Sequence, residues 1–256
     1  MERKAVRTVA YVLSCALICT FGMTIVAQGT RLVRRRNTIS AMAEEEENGE
    51  NVRPVSPVWV IDPGHGGEDG GASDPSGQVV EKELNLAVAM RIAALAHLFG
   101  HDCRLTRADD RLLYDAYHDL SDYRGKKKTY DLRNRLRIAE DAGATLFVGI
   151  HMNKFPKAQY HGLQVWYSPN DPKSADYAAF AQSYVKSTLQ PENERAVKKA
   201  TSSIYLLHRI RCPAILVECG FLSNPDECAA LVAPEYQTAL SAVLFAAAAE
   251  CENANG

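Results

Sequence analysis

Three short apolar runs in this chain each lead into a side chain that can bind a metal ion or a proton. The runs cover residues 58–61, 146–150 and 214–217, and the side chains that follow them are His65, His151 and Glu218. Short apolar runs bounded by turn residues are typical of buried β-strands. In open α/β sheets, functional groups collect at the carboxyl ends of the strands. The sequence therefore predicts one sheet whose strand ends bring these three residues to a common site.

Strand and helix signals alternate along the rest of the chain. Strands are predicted at 58–62, 102–106, 145–150, 162–167, near 203–207 and at 214–218, and helices at 83–99, 131–142, 173–189 and 234–250. Residues 108–130 lack hydrophobic periodicity and are expected to form a surface insertion. Such alternation predicts an α/β fold: a single three-layer domain with a mostly parallel central sheet and helices on both faces.

Length, charge and cysteine usage exclude several other classes of protein. A chain of 256 residues can form one substantial core with tails, and a second large domain does not fit. The formal net charge is -2 and the basic residues are scattered outside a few short runs, which argues against a nucleic-acid partner. Cys15 and Cys19 lie in an apolar N-terminal segment, and the other cysteines form no CxxC pair. Neither a disulfide framework nor a zinc ribbon is indicated.

The N-terminus contains a long uncharged stretch. No charged residue interrupts positions 8–30, which at helical rise can cross roughly 30 Å of hydrocarbon. We expect residues 1–30 to form a membrane anchor or a signal segment, and the length favours an uncleaved anchor. Residues 31–56 are highly charged and are expected to form a disordered linker. Residues 57–252 are then a catalytic domain outside the cytoplasm, either membrane-anchored or secreted.

Two histidines and one carboxylate with an open fourth position form a recurring catalytic zinc set. His65 and His151 supply the imidazoles, and Glu81, placed just before the helix at 83–99, is the candidate third ligand. Glu83 is the alternative ligand, although an acidic residue in the first turn also stabilises a helix through its dipole. Taken singly, each histidine is expected to be an ordinary hydrogen-bonding side chain. Their joint occurrence predicts a bound Zn2+.

Glu218 is the candidate catalytic base. It ends an apolar strand, where an ionised carboxylate is unfavourable unless it is paired, protonated or coordinated. In zinc hydrolases, the ion lowers the pKa of water and polarises an amide carbonyl, while a separate carboxylate passes the proton to the leaving nitrogen. An ion pair between Glu218 and an arginine is the structural alternative.

Three further residues carry weaker signals. Asn153 lies two positions after His151, where it either binds substrate or orients the loop. Arg107 follows a strand and is expected to pair with an aspartate rather than to contact a substrate carboxylate. Cys219 is expected to pack in the core, because zinc chemistry needs no thiol nucleophile.

Several sequence blocks occur in a fixed order between residues 58 and 250. They are Ile61-Asp62-Pro63-Gly64-His65-Gly66-Gly67, the segment 81–86, Leu105-Thr106-Arg107, the helix at 133–139, Ile150-His151-Met152-Asn153 and the segment 217–225. Together they resemble the catalytic domain of the zinc-dependent N-acetylmuramoyl-L-alanine amidases. The resemblance implies that His65, Glu81 and His151 bind zinc, that Glu218 is catalytic, and that the amide between N-acetylmuramic acid and L-alanine in peptidoglycan is hydrolysed.

Segments 153–156, 160–162 and 218–220 are most similar to the germination-specific members that act on spore cortex. This resemblance implies a role in cortex maturation, in which a peptidoglycan deacetylase completes muramic-δ-lactam formation, in the space between the forespore and mother-cell membranes. An accessory activator protein is a further candidate partner. Two alternatives stay open: a non-catalytic peptidoglycan-binding or scaffolding protein with the amidase fold, and a zinc peptidase that cuts the stem peptide.

Overall fold

The computed structural model of the protein describes residues 57–120 and 125–255. The strands are β1 (Val58–Pro63), β2 (Asp102–Leu105), β3 (Leu146–Asn153), β4 (Gln164–Tyr167), β5 (Lys198–Lys199) and β6 (Ala214–Phe221). The helices are α1 (Glu81–Leu98), α2 (Lys127–Asp141), α3 (Lys173–Thr188), α4 (Tyr205–Arg209), α5 (Pro225–Val232) and α6 (Pro234–Asn255).

The six strands form one sheet in the order β2-β1-β3-β6-β4-β5. Strand β1 is parallel to β2 and β3, and β3 is parallel to β6. Strand β4 runs antiparallel to β6, and the short β5 is parallel to β4. The prediction of a mostly parallel sheet is therefore confirmed. The carboxyl ends of β1, β3 and β6 lie side by side at one edge.

Side chains of β1 alternate between two apolar layers, as the two-residue period of a strand requires. Trp59 and Ile61 pack with α1, α3 and α6 in the larger buried cluster. Val60 points to the opposite face and packs with residues of α2 and α4 in the smaller cluster. The sheet thus carries helices on both faces, which confirms the predicted three-layer α/β architecture.

The predicted strand near 203–207 is wrong. Residues Tyr205–Arg209 form helix α4, and the short edge strand is Lys198–Lys199. An apolar run of a few residues does not distinguish a strand from a short helix by periodicity alone.

Helix starts also differ from the sequence-based expectation. Helix α1 begins at Glu81, so this glutamate is the first residue of the helix instead of preceding it. Helix α2 begins at Lys127 and includes the end of the segment that was expected to be irregular. Helix α5 was not predicted. Its start nevertheless has a strong N-terminal signal: the side chain of Asn224 accepts hydrogen bonds from the backbone nitrogens of Asp226 and Glu227, and Pro225 is the first helical residue.

Among the residues that the structure describes, no single helix is long and apolar enough to cross a membrane. Only α5 and α6 taken together reach that length and composition, with an 83° bend between them. The predicted membrane segment at 1–30 and the linker at 31–56 lie outside the described residues, and the boundaries of the catalytic domain at 57 and 252 stay predictions.

Candidate metal centre

Strand register places the catalytic candidates in a row. His151 on β3 is the register partner of Glu218 on β6, and Glu218 is directly opposite Gln164 on β4. Residues paired in register project their side chains from the same face of a sheet. The register between β3 and β6 shifts directly after His151, and such irregularities re-aim side chains next to functional sites. Three adjacent strands thus present His151, Glu218 and Gln164 on one face.

His65 reaches the same edge through the glycine turn that follows β1. Its φ is 63°, a left-handed conformation that is rare for a residue with a side chain. Gly64 has to be a glycine because a Cβ there would lie 2.2 Å from Cε1 of His151. Gly71, with φ +71°, has a similar role, since a Cβ there would lie 2.5 Å from Oε2 of Glu81. The glycines allow the turn to close around the two histidines and the glutamate.

Glu81 brings the two histidines together. Its Oε1 lies 3.3 Å from Nε2 of His65 and 3.0 Å from Nδ1 of His151. One donor atom from each of the three residues lies within 4.8 Å of the other two. Donors about 2.1 Å from a tetrahedral ion are about 3.4 Å apart. The spacing of these side chains therefore fits one zinc-sized cation.

The carboxylate of Glu81 is fixed from several directions. Its Oε2 accepts a 2.6 Å hydrogen bond from the backbone nitrogen of Ala72, and its Oε1 accepts from the backbone of Met152 and the amide of Asn85. Burial alone would raise the pKa of Glu81, but the hydrogen bonds and charges of His151 and His65 outweigh it and hold the pKa below its usual range. Glu81 is therefore an ionised carboxylate that is already oriented towards the two histidines.

Asp69 supports His65 from the side away from Glu81. Its Oδ2 lies 3.0 Å from Nδ1 of His65 and 3.1 Å from Nζ of Lys128. Burial lowers the pKa of His65, but Glu81 and then Asp69 outweigh it, so the pKa is raised. A carboxylate behind a metal-ligating histidine fixes the orientation of the ring and strengthens it as a ligand.

Glu218, the register partner of His151, has an unsatisfied side-chain oxygen. Its Oε2 is buried and has no hydrogen-bond partner in the described part of the chain. Burial raises the pKa of Glu218, and the charge of Glu81 adds to this, although His151 and His65 partly oppose it. Among the described residues no arginine forms an ion pair with Glu218, although the charge of Arg195 also opposes the rise in its pKa. An orphaned carboxylate beside three metal-competent side chains suits proton transfer.

Arg107 does not pair with an aspartate side chain as expected. It is buried and donates to backbone carbonyls: to Pro63 at 2.9 Å, to Gly64 at 3.0 Å and to Lys82 at 2.9 Å, with a further bond to the carbonyl of Asp109. The sequence alone does not show which backbone carbonyls a side chain will contact. Arg107 therefore ties the His65 turn to the start of α1.

Arg135 of α2 holds the same turn and was not predicted as a functional residue. It donates to the carbonyls of Pro63 at 2.9 Å and His65 at 2.6 Å, and forms buried ion pairs with Asp62 at 2.6 Å and Asp131 at 2.8 Å. Burial would raise the pKa of Asp62, but Arg135 and a hydrogen bond from Thr106 outweigh it and lower the pKa. Three consecutive carbonyls before and at His65 are thus held by two arginines.

Part of the expected surface insertion at 108–130 packs against the site. Leu113 is buried, its backbone nitrogen donates to Asp131 at 2.7 Å, and its carbonyl accepts from Asn134 at 2.6 Å. A Cβ on Gly66 would lie 2.2 Å from the carbonyl oxygen of Arg111. The segment around residues 111–113 therefore covers the His65 turn instead of projecting from the surface.

The structure also shows where the other candidate residues, Glu83, Asn153 and Cys219, lie. Glu83 is exposed and does not join the metal cluster, so Glu81 is the glutamate that the structure brings to the histidines. The side-chain oxygen of Asn153 accepts from the backbone of Lys154 at 2.8 Å, which fits loop orientation, and its role in substrate binding stays a prediction. Cys219 is fully buried in the apolar cluster, in agreement with a packing role.

Comparison with known proteins connects this geometry to an enzyme family. The family model for N-acetylmuramoyl-L-alanine amidases matches residues 60–249. The germination-specific N-acetylmuramoyl-L-alanine amidase of Bacillus subtilis (strain 168) is 32% identical over 188 residues, covering 73% of this chain and 76% of that protein.

Two solved structures share the fold. The CwlD amidase from Clostridioides difficile, in complex with the GerS lipoprotein, has a TM-score of 0.72 and 32% identity, covering 78% of this chain and 100% of that one. The amidase AmiC2 of Nostoc punctiforme has a TM-score of 0.66 and 28% identity, covering 77% of this chain and 97% of that one. The chain described here therefore belongs to the N-acetylmuramoyl-L-alanine amidase family and is a peptidoglycan amidase.

Proposed function

We propose that His65, Glu81 and His151 hold one zinc ion, and that the enzyme hydrolyses the amide between N-acetylmuramic acid and L-alanine. The observation that carries this proposal is the spacing of three donor atoms within 4.8 Å of one another, beside the partnerless oxygen of Glu218. When bound, zinc supplies a Lewis acid that polarises the amide carbonyl and makes water a stronger nucleophile at neutral pH.

Glu218 acts as the general base and then as the general acid. The pKa of Glu218 is raised towards neutral pH. A group whose pKa is near the working pH can both accept and return a proton. It takes a proton from the attacking water and delivers it to the leaving nitrogen of L-alanine. Its Oε2 is available for this transfer because no described residue forms a hydrogen bond with it.

The surrounding residues keep the ligands in place. Asp69 orients His65 through the ring nitrogen that faces away from Glu81. Arg107 and Arg135 fix the backbone on which His65 is carried. A site positioned by buried hydrogen bonds is more precise than one on a free loop. These residues therefore contribute to metal affinity without contacting the substrate.

Substitution of a ligand and of the base should separate metal binding from proton transfer. In the full chain purified with zinc, His65→Ala should lose stoichiometric metal, because one of three ligands is removed. Glu218→Gln should retain the metal and lose about a hundredfold to ten thousandfold in turnover, the range for general acid–base catalysis. Metal analysis and mass spectrometry of the products measure both quantities.

Glu83→Gln is the matched control, since Glu83 lies on the same helix turn as Glu81 but is exposed. It should keep both zinc and activity. A folded, zinc-loaded chain that released no stem peptide from peptidoglycan would contradict the proposal and favour a scaffolding role. Products cut within the stem peptide would identify a peptidase instead.

The biological setting is spore-cortex maturation. Support comes from the germination-specific relative of B. subtilis, to which the chain is 32% identical. Removal of the stem peptide leaves a muramic acid on which a deacetylase completes the muramic-δ-lactam. Cortex from a strain lacking this protein should contain no muramic-δ-lactam and should retain stem peptides on those residues. Normal lactam content in that strain would refute this setting.

An accessory lipoprotein and a membrane anchor complete the proposed arrangement. A similar amidase, CwlD from C. difficile, was solved in complex with the GerS lipoprotein, which supports an accessory partner here. The uncharged stretch at residues 8–30 holds the enzyme at the membrane with its catalytic domain outside the cytoplasm. Fractionation of cells should recover the chain with membranes, and recovery in the cytoplasm would exclude the anchor.

A further inference from the structure

Two exposed aromatic side chains touch each other in the loop that follows β3. Phe155 is 43% exposed and Tyr160 is 39% exposed, and their ring centroids lie 4.6 Å apart. Tyr160 also lies 6.5 Å from the ring of Phe221. Large apolar side chains that gather on a surface mark binding sites more often than isolated ones do. We call Phe155 and Tyr160 the aromatic surface, and Phe221, near Tyr160, is a buried residue next to it.

The aromatic surface lies directly after the strand ends that carry His151 and Glu218. Phe155 follows Asn153 at the end of β3, and Phe221 ends β6, the strand that carries Glu218. The loop is fixed to the segment after β6: the backbone nitrogen of Phe155 donates to Oγ of Ser223 at 3.0 Å, and the amide of Asn224 donates to the carbonyl of Ala158 at 2.9 Å. The rings are therefore presented on a loop that is held to the segment after the strand carrying Glu218.

Arg195 adds hydrogen-bond donors to this surface. Its guanidinium lies 4.8 Å from the ring centroid of Phe221, and its Nη2 donates to Oε1 of Gln164 at 2.9 Å. Gln164 is directly opposite Glu218, so Arg195 is one side chain away from the proposed base. Its Nε is buried and has no hydrogen-bond partner in the described ranges. A buried donor without a partner is unfavourable, and an ordered water or a ligand can satisfy it.

The other side of the metal centre has a different character. A groove next to His65 is lined by Glu68, Asp69 and the lysines at 126–128. These charges already form ion pairs with one another, as between Lys128 and Asp69. The substrate has two halves: a sugar, whose C–H faces are apolar and whose hydroxyl and acetamido groups are uncharged, and a peptide that ends in a carboxylate. The charged groove suits the peptide, and the aromatic surface suits the sugar.

We propose that the aromatic surface and Arg195 form the subsite for the muramic-acid half of the substrate. The C–H face of the pyranose ring packs on Phe155 and Tyr160, and Arg195 donates to an oxygen of the sugar. This inference rests on the proposed amidase function and adds the residues that distinguish the glycan side of the scissile bond from the peptide side.

Inhibition by the two separated products tests this assignment. The full chain with zinc digests peptidoglycan in the presence of either the free disaccharide that carries the lactyl carboxylate or the free stem peptide. In the double variant Phe155→Ser/Tyr160→Ser, the inhibition constant of the disaccharide should rise about tenfold, as expected for two lost ring contacts. The constant for the stem peptide should stay within about twofold, a factor too small to reflect a lost contact. Arg195→Gln should show the same selectivity.

Met90→Ser/Leu98→Ser is the matched control, because these two apolar side chains on α1 are 48% and 76% exposed. It should leave both inhibition constants unchanged. A disaccharide that fails to inhibit the unaltered enzyme, or an equal change for both products, overturns the subsite. Unchanged constants in the aromatic variant also overturn it and leave that surface to a protein partner. Absence of stem-peptide release by the unaltered enzyme, measured first, refutes the amidase function itself.

Discussion

At the scale of single residues, the backbone at Gly64 approaches the ring of His151 so closely that few substitutions fit there. The ring of His151 lies against Gly64, where no Cβ fits. His65 sits one residue later in a left-handed conformation. The first turn of the site therefore has no free volume on its inner side, and even a methyl group must displace a ligand.

Gly64→Ala should reduce zinc affinity about tenfold or more, the lower end of the range for disturbed metal sites, because the new Cβ forces the His151 ring to move. Turnover should fall with metal occupancy. Metal titration and peptide release measure the two effects. Gly149→Ala is the control: a Cβ there meets Leu216 at an ordinary 3.6 Å. Equal zinc affinity in both variants would show that the His151 ring can relocate without loss.

The metal-competent residues are predictable from the sequence because each follows an apolar run or opens a helix. His65, His151 and Glu218 were found in this way, and the structure brings the first two to Glu81 and pairs Glu218 with His151 in register. The roles of these residues in catalysis stay proposals. Asp69 could not be found, since its contact with His65 depends on the path of the turn.

At the scale of secondary-structure elements, helix α2 acts as a support for the catalytic turn. It delivers Arg135, only 1% exposed, to the carbonyls of Pro63 and His65. The same helix provides Asp131, which neutralises the guanidinium and accepts from the segment at Leu113. The position of α2 is thus coupled to the geometry of the metal site.

Arg135→Lys should lower the free energy of unfolding by about 3 kcal/mol, because an ammonium cannot replace the forked donors to two carbonyls and two carboxylates. Zinc affinity should fall as well, since the His65 carbonyl loses its donor. Arg133→Lys on the exposed face of α2 is the control and should change stability by less than about 0.5 kcal/mol. Denaturant unfolding measures both variants. Equal free energies of unfolding for Arg135→Lys and the parent would show that the paired donors of Arg135 are dispensable.

Regular, long elements were predictable, and short or reversed ones were not. Strand β1 and helix α3 lie within one residue of their predicted bounds. Helix α4 was taken for a strand because Ile204 and the residues after it form a run too short to show a period. The antiparallel direction of β4 depends on tertiary pairing with β6, which no local pattern encodes.

At the scale of the whole molecule, the last helix closes the core against the first strand. Trp59 of β1 donates through Nε1 to Oε1 of Glu252 at 3.0 Å, and His101 contacts the other oxygen of Glu252 at 3.3 Å. Burial would raise the pKa of Glu252, but the hydrogen bonds with His101 and Trp59 outweigh it and lower the pKa. The ionised carboxylate is therefore more favourable in the folded state than in the unfolded chain.

Glu252→Gln should destabilise the protein at neutral pH and change its response to acid. Because the folded pKa is below the unfolded value of about 4.3, the stabilisation is complete above that value and disappears as the pH falls through the folded pKa. The difference in unfolding free energy between the parent and Glu252→Gln should shrink towards pH 3. Denaturant titrations at pH 7 and pH 3 test this, and a difference independent of pH would contradict it.

Within the described sheet, the strand direction reverses between β6 and β4, which separates a parallel half from a reversed half. The two metal-competent histidines come from the parallel half, where two buried arginines hold the turn after β1. The connection that enters β4 and the segment that carries Arg195 lie on the reversed half, where the sheet ends in an edge strand of two residues. Substitutions in the reversed half should therefore alter recognition of the glycan while leaving the metal-competent side chains in place.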